Sequence, residues 1–155
     1  MIDDMLFKQA MGEFATGVTV VTTKTFDSQL PTGITVNAFM SLSMDPMLVA
    51  ISIRNNGSII RSLKEAHAFG ISILNNAQKE LSQIFAKQIE QSQPVRFDTL
   101  NGTDVIEDAL VRMRCVTDEI VEAGDHTVFI AHVTDIEVNE GKPLLYYQGK
   151  YHELK

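Results

Sequence analysis

A single cysteine, a shortage of basic side chains and the absence of any long apolar run are the most informative deficits in this sequence of 155 residues. The lone Cys115 has no second thiol to pair with inside the chain, and it excludes a structural metal site built from several thiolates. That usage fits a reducing cytoplasm, the expected location. The 13 Lys and Arg residues are outnumbered by 20 Asp and Glu, giving a net charge of −7, and they form no run. A nucleic-acid binder needs a basic footprint, so no nucleic-acid partner is expected. No apolar stretch approaches the ~20 residues needed to cross a bilayer, and the opening Met-Ile-Asp-Asp lacks the basic start and apolar run of a secretory signal. A protein that is neither exported nor membrane-bound is therefore expected.

Familiar catalytic signatures are missing as well. There is no Walker-type phosphate loop and no G-x-G-x-x-G after a strand, so a nucleotide would have to be held by another device. The serines lack a nucleophile-elbow context. His126 and His132 fall on one face of a predicted strand, but six residues at about 3.3 Å each put them roughly 20 Å apart, too far to share an ion. His67 and His152 have no spaced partner, and no metal site is expected.

What is present is a globular composition of the size of one domain, taken as residues 1–155. Behind Asp3 or Asp4 as a cap, Phe7, Ala10, Met11 and Phe14 recur at helical spacing until Thr16-Gly17 ends the pattern. Val18–Thr23 and Thr32–Phe39 read as a strand and its returning partner around a turn at Asp27-Ser28-Gln29. Met47–Arg54 is a nearly continuous apolar run, the pattern of a strand buried on both faces. A helix over Ser58–Ala66, a strand over Ala68–Leu74 and a helix over Asn76–Gln88 follow, then a polar loop that Pro94 closes. Two long strands, Leu110–Glu122 and Thr127–Val138, flank the turn Ala123-Gly124-Asp125. In the first, Val111, Met113, Cys115 and Thr117 share a face opposite Arg112 and Arg114. Pro143–Leu154 is a last strand, interrupted at Gly149. Six or seven strands with about three helices do not alternate as a doubly wound fold requires. The expected class is mainly β with helices, an antiparallel split or closed barrel.

Three places put small polar groups where binding chemistry could use them. In T-G-I-T-V-N-A-F-M-S-L-S-M-D-P, Thr32 to Pro46, an extended chain would line up Thr35, Asn37, Ser41 and Ser43 on one face, a ledge able to bond the edge of a flat heteroaromatic ring. The same face would serve equally as the solvent side of a half-buried strand. Asn55-Asn56-Gly57-Ser58 precedes a helix whose free amides suit an anion, with Arg61 one turn in, although Asn and Ser are also ordinary caps. The turn Gly124-Asp125-His126 sets an imidazole at a hairpin mouth, where it either binds or is simply exposed. Tyr146, Tyr147 and Tyr151 either cover a ring or pack a barrel end.

Four blocks in order carry a family resemblance: F-A-T-G-V-T-V-V-T, the T-G-I-T-V-N-A-F-M-S-L-S-M-D-P stretch, G-D-H-T-V-F-I-A-H-V and P-L-L-Y-Y-Q-G-K-Y. Together they span nearly the whole chain, which resembles the flavin reductases that serve two-component flavin monooxygenases on an FMN-binding split barrel. The resemblance implies that Thr35, Asn37 and Ala38 line an isoalloxazine with Ser41 and Ser43 nearby. It further implies that Asn56 and Ser58 lie toward the ribityl phosphate, that Ser82 and Phe85 approach the flavin, and that His126, in the turn with Gly124 and Asp125, meets the nicotinamide. FMN or FAD as flavin, NADH or NADPH as donor, a homodimer and a monooxygenase partner are implied too. Hydride transfer is cofactor chemistry, so the protein needs no acid–base dyad. Two other expectations compete: a flavin-binding electron carrier or sensor that uses no nicotinamide, and a pyridoxamine-phosphate-oxidase-like enzyme, which should have a stronger basic phosphate site than Arg61 and Lys64 supply.

Overall fold

Asp3 starts the first helix, α1 (Asp4–Gly12): its carboxylate accepts from the Leu6 amide at 2.8 Å and satisfies one donor of the first turn. The computed structural model describes residues 1–155. After α1 come β1 (Thr16–Gly17), β2 (Thr19–Lys24), β3 (Pro31–Val36), β4 (Phe39–Met44), β5 (Met47–Arg54), α2 (Ile59–Glu65), β6 (Ala68–Ile73) and α3 (Lys79–Phe85). The chain continues through β7 (Phe97–Leu100), β8 (Thr103–Ile106), β9 (Val111–Ala123), β10 (His126–Val138), β11 (Leu144–Tyr147) and β12 (Lys150–Glu153). The class is as expected, mainly β with three helices. The strand count is higher than expected, because short hairpins carry too little periodic signal to be read.

Seven strands form one antiparallel sheet in the order β3-β2-β6-β9-β10-β5-β4. Its edge strands β3 and β4 are consecutive in sequence and joined only by Asn37-Ala38. Three Cα steps span at most about 11 Å, so at that corner the two edges of a seven-stranded sheet come together. The sheet is thus rolled up but not hydrogen-bonded shut, a split barrel. This corrects the expectation of one strand over Thr32–Phe39. The Phe39 amide turns back onto the Asn37 carbonyl at 3.0 Å, and the chain crosses the split there.

The inside of the roll holds Val21, Ile51, Ile53, Phe69, Ile71, Met113, Cys115 and Phe129, all buried. Burial of each such large side chain contributes roughly 1.5–3 kcal/mol. β6 runs so close to β8 that a Cβ on Gly70 would lie 2.4 Å from both the Asp104 carbonyl and the Thr22 hydroxyl, so only glycine fits. A smaller cluster of Val18, Val20, Leu74, Ile106, Ala109 and Leu144 lies under α3 and a second, three-stranded sheet, β1-β11-β12. β11 and β12 form a hairpin through Gln148 and Gly149, both at positive φ, where a single interrupted strand was expected. Arg112 lies on the face of β9 opposite Met113 and Cys115, as the alternation predicts. It is buried there between the carboxylates of Asp98, at 2.6 Å, and Glu137.

Candidate functional site

Strand alternation assigns two faces to β5 and β10. Val49, Ile51, Ile53, Thr127, Phe129 and Ala131 are buried toward the core, so Ala50, Ser52, Arg54, His126, Val128 and Ile130 face outward. The register then sets neighbours. Ser52 lies opposite Val128 and donates its amide to the Ala38 carbonyl at 3.1 Å, while Arg54 lies opposite His126. Ala38, Ser52 and Val128 form one row across the outer face, and Arg54 and His126 form the next row, about 7 Å along.

A groove of about 830 Å³ runs over the first row, walled by Met11, Phe14 and Thr16-Gly17 on one side and by Asn37, Ala38, Ser52 and Val128 on the other. The volume is in the range of small-ligand sites, and the walls are largely apolar. Thr16 lines it and has a buried hydroxyl with no partner. Apolar walls for two ring faces, with the Asn37 amide and the Ser52 and Thr16 hydroxyls for ring edges, fit a flat heteroaromatic ligand. A chamber of about 140 Å³ adjoins the groove, shares Val18 and Asn37 with it, and adds Thr35, Ser82, Tyr146 and Tyr151.

The second row is tied to the loop after β5. The Asn55 amide donates to the Asp125 carbonyl at 2.9 Å, and the Thr127 hydroxyl donates to Asn55 Oδ1 at 2.6 Å. Gly124 holds a φ of 62°, the conformation the turn needs and glycine supplies freely. Asp125 Oδ1 lies 2.7 Å from His126 Nδ1. A carboxylate only accepts, so Nδ1 carries the proton and Nε2 is left for a ligand. That hydrogen bond, helped by the charges of His126 and Arg54, holds the Asp125 carboxyl below its usual range.

Around these features the sequence-predicted residues divide. Thr35, Asn37, Ala38 and Ser82 gather at the groove and its chamber. Asn56, Ser58, Gly124, Asp125 and His126 gather at the far end of β5. Ser41, Ser43 and Phe85 line neither space. The ledge of alternating polar residues does not exist, because Thr35 is on β3, the chain turns at Asn37, and the register slips between Ser41 and Ser43 on β4. Ser41 pairs with Val49 and Ser43 with Leu48, toward the opposite end of β5 from Arg54. Phe85 packs edge-on against Phe97, with ring centroids 6.1 Å apart.

Ser58 caps α2 without a side-chain hydrogen bond, and the helix is only seven residues long, so its dipole is weak. Arg61 points elsewhere, 3.9 Å from the centroid of the Phe26 ring and 3.4 Å from Glu65. Arg54 is the cation on the outer face, and sequence reasoning missed it along with Thr16, Gly17 and Ser52. Ser52 had a signal, as the only polar residue inside an otherwise apolar strand.

Residues 11–155 match the family model described as flavin reductase like domain. An NADH-dependent flavin reductase of Rhodococcus sp is 37% identical over 149 residues, covering 96% of this chain and 85% of that protein. The reductase component of 4-hydroxyphenylacetate 3-monooxygenase from Thermus thermophilus is 34% identical over 149 residues, covering 96% and 95%. Among solved structures, the flavin reductase PheA2 in its native state superposes with a TM-score of 0.95 at 45% identity, over 99% of both chains.

Proposed function

The chain belongs to the flavin reductase-like family, and on that footing we propose that it is an NADH-dependent flavin reductase holding FMN or FAD in the groove between α1 and the outer face of β5 and β10. The observation that carries this is the pair of adjacent rows: Ala38 and Ser52 under the groove, and His126 with Arg54 one step along the same face.

When bound, the flavin supplies N5 as the acceptor of a hydride from the reduced nicotinamide. The chain's own residues have positioning work to do. Met11, Phe14 and Val128 exclude water from the ring faces, and Asn37, Ser52 and the Thr16 hydroxyl bond its edges. Asn56, Ser58 and Arg54 lie toward the phosphate, and His126, its imidazole oriented by Asp125, meets the nicotinamide through Nε2. No side chain is required to move a proton in the hydride step.

The reduced flavin goes to a monooxygenase component, and the enzyme works in the cytoplasm, in keeping with its one free, buried cysteine. No helix is long and apolar enough to cross a membrane. Phe14, Met40, Leu42, Met44 and Met47 are exposed large apolar side chains beside the groove and along edge strand β4, and a second copy of the chain covers them. Sedimentation of the wild type and of Leu42→Asp tests this: a dimer that the variant weakens is expected, and a monomeric wild type refutes it.

The decisive assay is oxidation of NADH and NADPH by the purified protein, followed at the nicotinamide absorbance, with and without FMN, FAD or riboflavin. Flavin-dependent oxidation of NADH is expected. Flavin binding with neither nucleotide oxidised would instead make the protein a flavin-binding module.

A further inference from the structure

In the chamber beside the groove two hydrogen bonds converge on Ser82, one at its backbone carbonyl and one at its hydroxyl. Thr35 donates its hydroxyl to the Ser82 carbonyl at 2.7 Å, and the Ser82 and Tyr151 hydroxyls share a hydrogen bond of 2.8 Å. The Ser82 carbonyl also accepts from the Ala86 amide at 3.0 Å, so both its lone pairs are engaged. Ser82 is fully buried. Tyr151 is held in turn, edge-on to Tyr146 with ring centroids 5.3 Å apart and with the Lys79 ammonium 5.8 Å from its ring centre.

The consequence falls on Thr35. A carbonyl can only accept, so the Thr35 proton is committed to Ser82, and the hydroxyl offers only lone pairs to whatever enters the chamber. We infer that the Ser82 carbonyl holds the Thr35 hydroxyl as an obligate acceptor, with Tyr151 as the positioning residue that anchors Ser82 through its side chain, so that this end of the site reads an imide or amide N–H of its ligand. The inference rests on the proposed flavin reductase activity, which brings two such groups, the N3–H of the isoalloxazine and the carboxamide of the nicotinamide. Asn37, lining the same chamber, has an amide that both donates and accepts and so complements the carbonyl that accompanies either N–H.

Two matched pairs of ligands test this. FMN and N3-methyl FMN are titrated by flavin fluorescence without nicotinamide, and NADH is compared as donor with its reduced 3-acetylpyridine analogue, in which a methyl ketone replaces the carboxamide. Loss of one satisfied hydrogen bond in a partly buried site corresponds to roughly tenfold, the discrimination expected of the wild type in one of the two pairs. Discrimination in the first pair identifies the flavin imide as the group read, and in the second the carboxamide. Thr35→Val should abolish the discrimination and Thr35→Ser should restore it. Tyr151→Phe should reduce it, a change in ratio that a purely structural role would not produce. Equal use of both members of both pairs by the wild type, or a ratio unchanged in Thr35→Val, overturns the inference while leaving the reductase activity intact. A wild type that binds no flavin and oxidises no NADH overturns both.

Discussion

Thr127 on β10 donates its hydroxyl to the Asn55 side-chain oxygen at 2.6 Å, and this bond joins the turn that carries His126 to the loop that carries Asn56 and Ser58. The two segments are 72 residues apart in the chain, yet they form one end of the proposed site. Thr127 is buried, so valine fills its space without restoring the bond. Thr127→Val should lose about 0.5–1.5 kcal/mol of stability. It should also raise KM for NADH several-fold. A lower melting temperature with unchanged KM would mean that the turn keeps its orientation without this tie.

His126→Ala should raise KM for NADH by about tenfold, the equivalent of one well-placed contact, while the flavin dissociation constant stays within about twofold. His126→Gln keeps a polar group and should recover part of the loss. Steady-state kinetics at varied NADH, paired with a flavin titration, separates the two ligands. Wild-type NADH affinity in His126→Ala would remove the turn from the site.

Asp98 is held below the usual carboxylate range, first by its hydrogen bond from the buried Arg112 and then by the Thr99 amide. A depressed carboxyl stabilises the fold above its unfolded value, near 3.9, and that contribution is lost as pH falls through the folded value. Asp98→Asn should therefore be less stable than the wild type at pH 7, and the gap should close below about pH 4. Urea unfolding at the two pH values measures it. A gap that persists in acid would point to packing and not charge.

Burial pushes the Cys115 thiol up to about 12. A thiol raised in the folded state leaves stability untouched below its unfolded value near 8.5, then lowers it as pH climbs toward the folded value. At pH 8 a thiol reagent should label Cys115 only as fast as the barrel opens, and rapidly once urea unfolds it. Prompt labelling of the native protein would show that the roll opens locally at β9.

Much of this was legible beforehand where the pattern is long or the chemistry local. β9 and β10 were legible to within a residue or so because both are long runs rich in strand-forming residues and Ala123-Gly124-Asp125 marks the turn between them. A cap at Asp3 or Asp4 was recognisable because capping needs only its neighbours, and the structure selects Asp3. The β7–β8 hairpin went unread, although Asn101-Gly102 between Leu100 and Thr103 marks it, both residues having the positive φ of a tight hairpin turn. The third helix came out shorter than Asn76–Gln88 because Asn75 and Gln78 fold back on each other before it, the Asn75 amide bonding Gln78 Oε1 at 3.0 Å.

By itself the sequence determined which residues at the start of β9 share a face, where the first helix cap and the β9–β10 turn fall, and which family the chain resembles, since these depend on local spacing and short blocks. Only the tertiary structure decided which strands are neighbours. It rolled the sheet until β3 and β4 met at Asn37-Ala38, set Arg54 against His126, and buried Ser82 against a tyrosine 69 residues away. Periodicity assigns a side chain to a face but carries nothing about which strand lies beside it. That is fixed when the whole sheet closes around one core and every backbone hydrogen bond must find a partner.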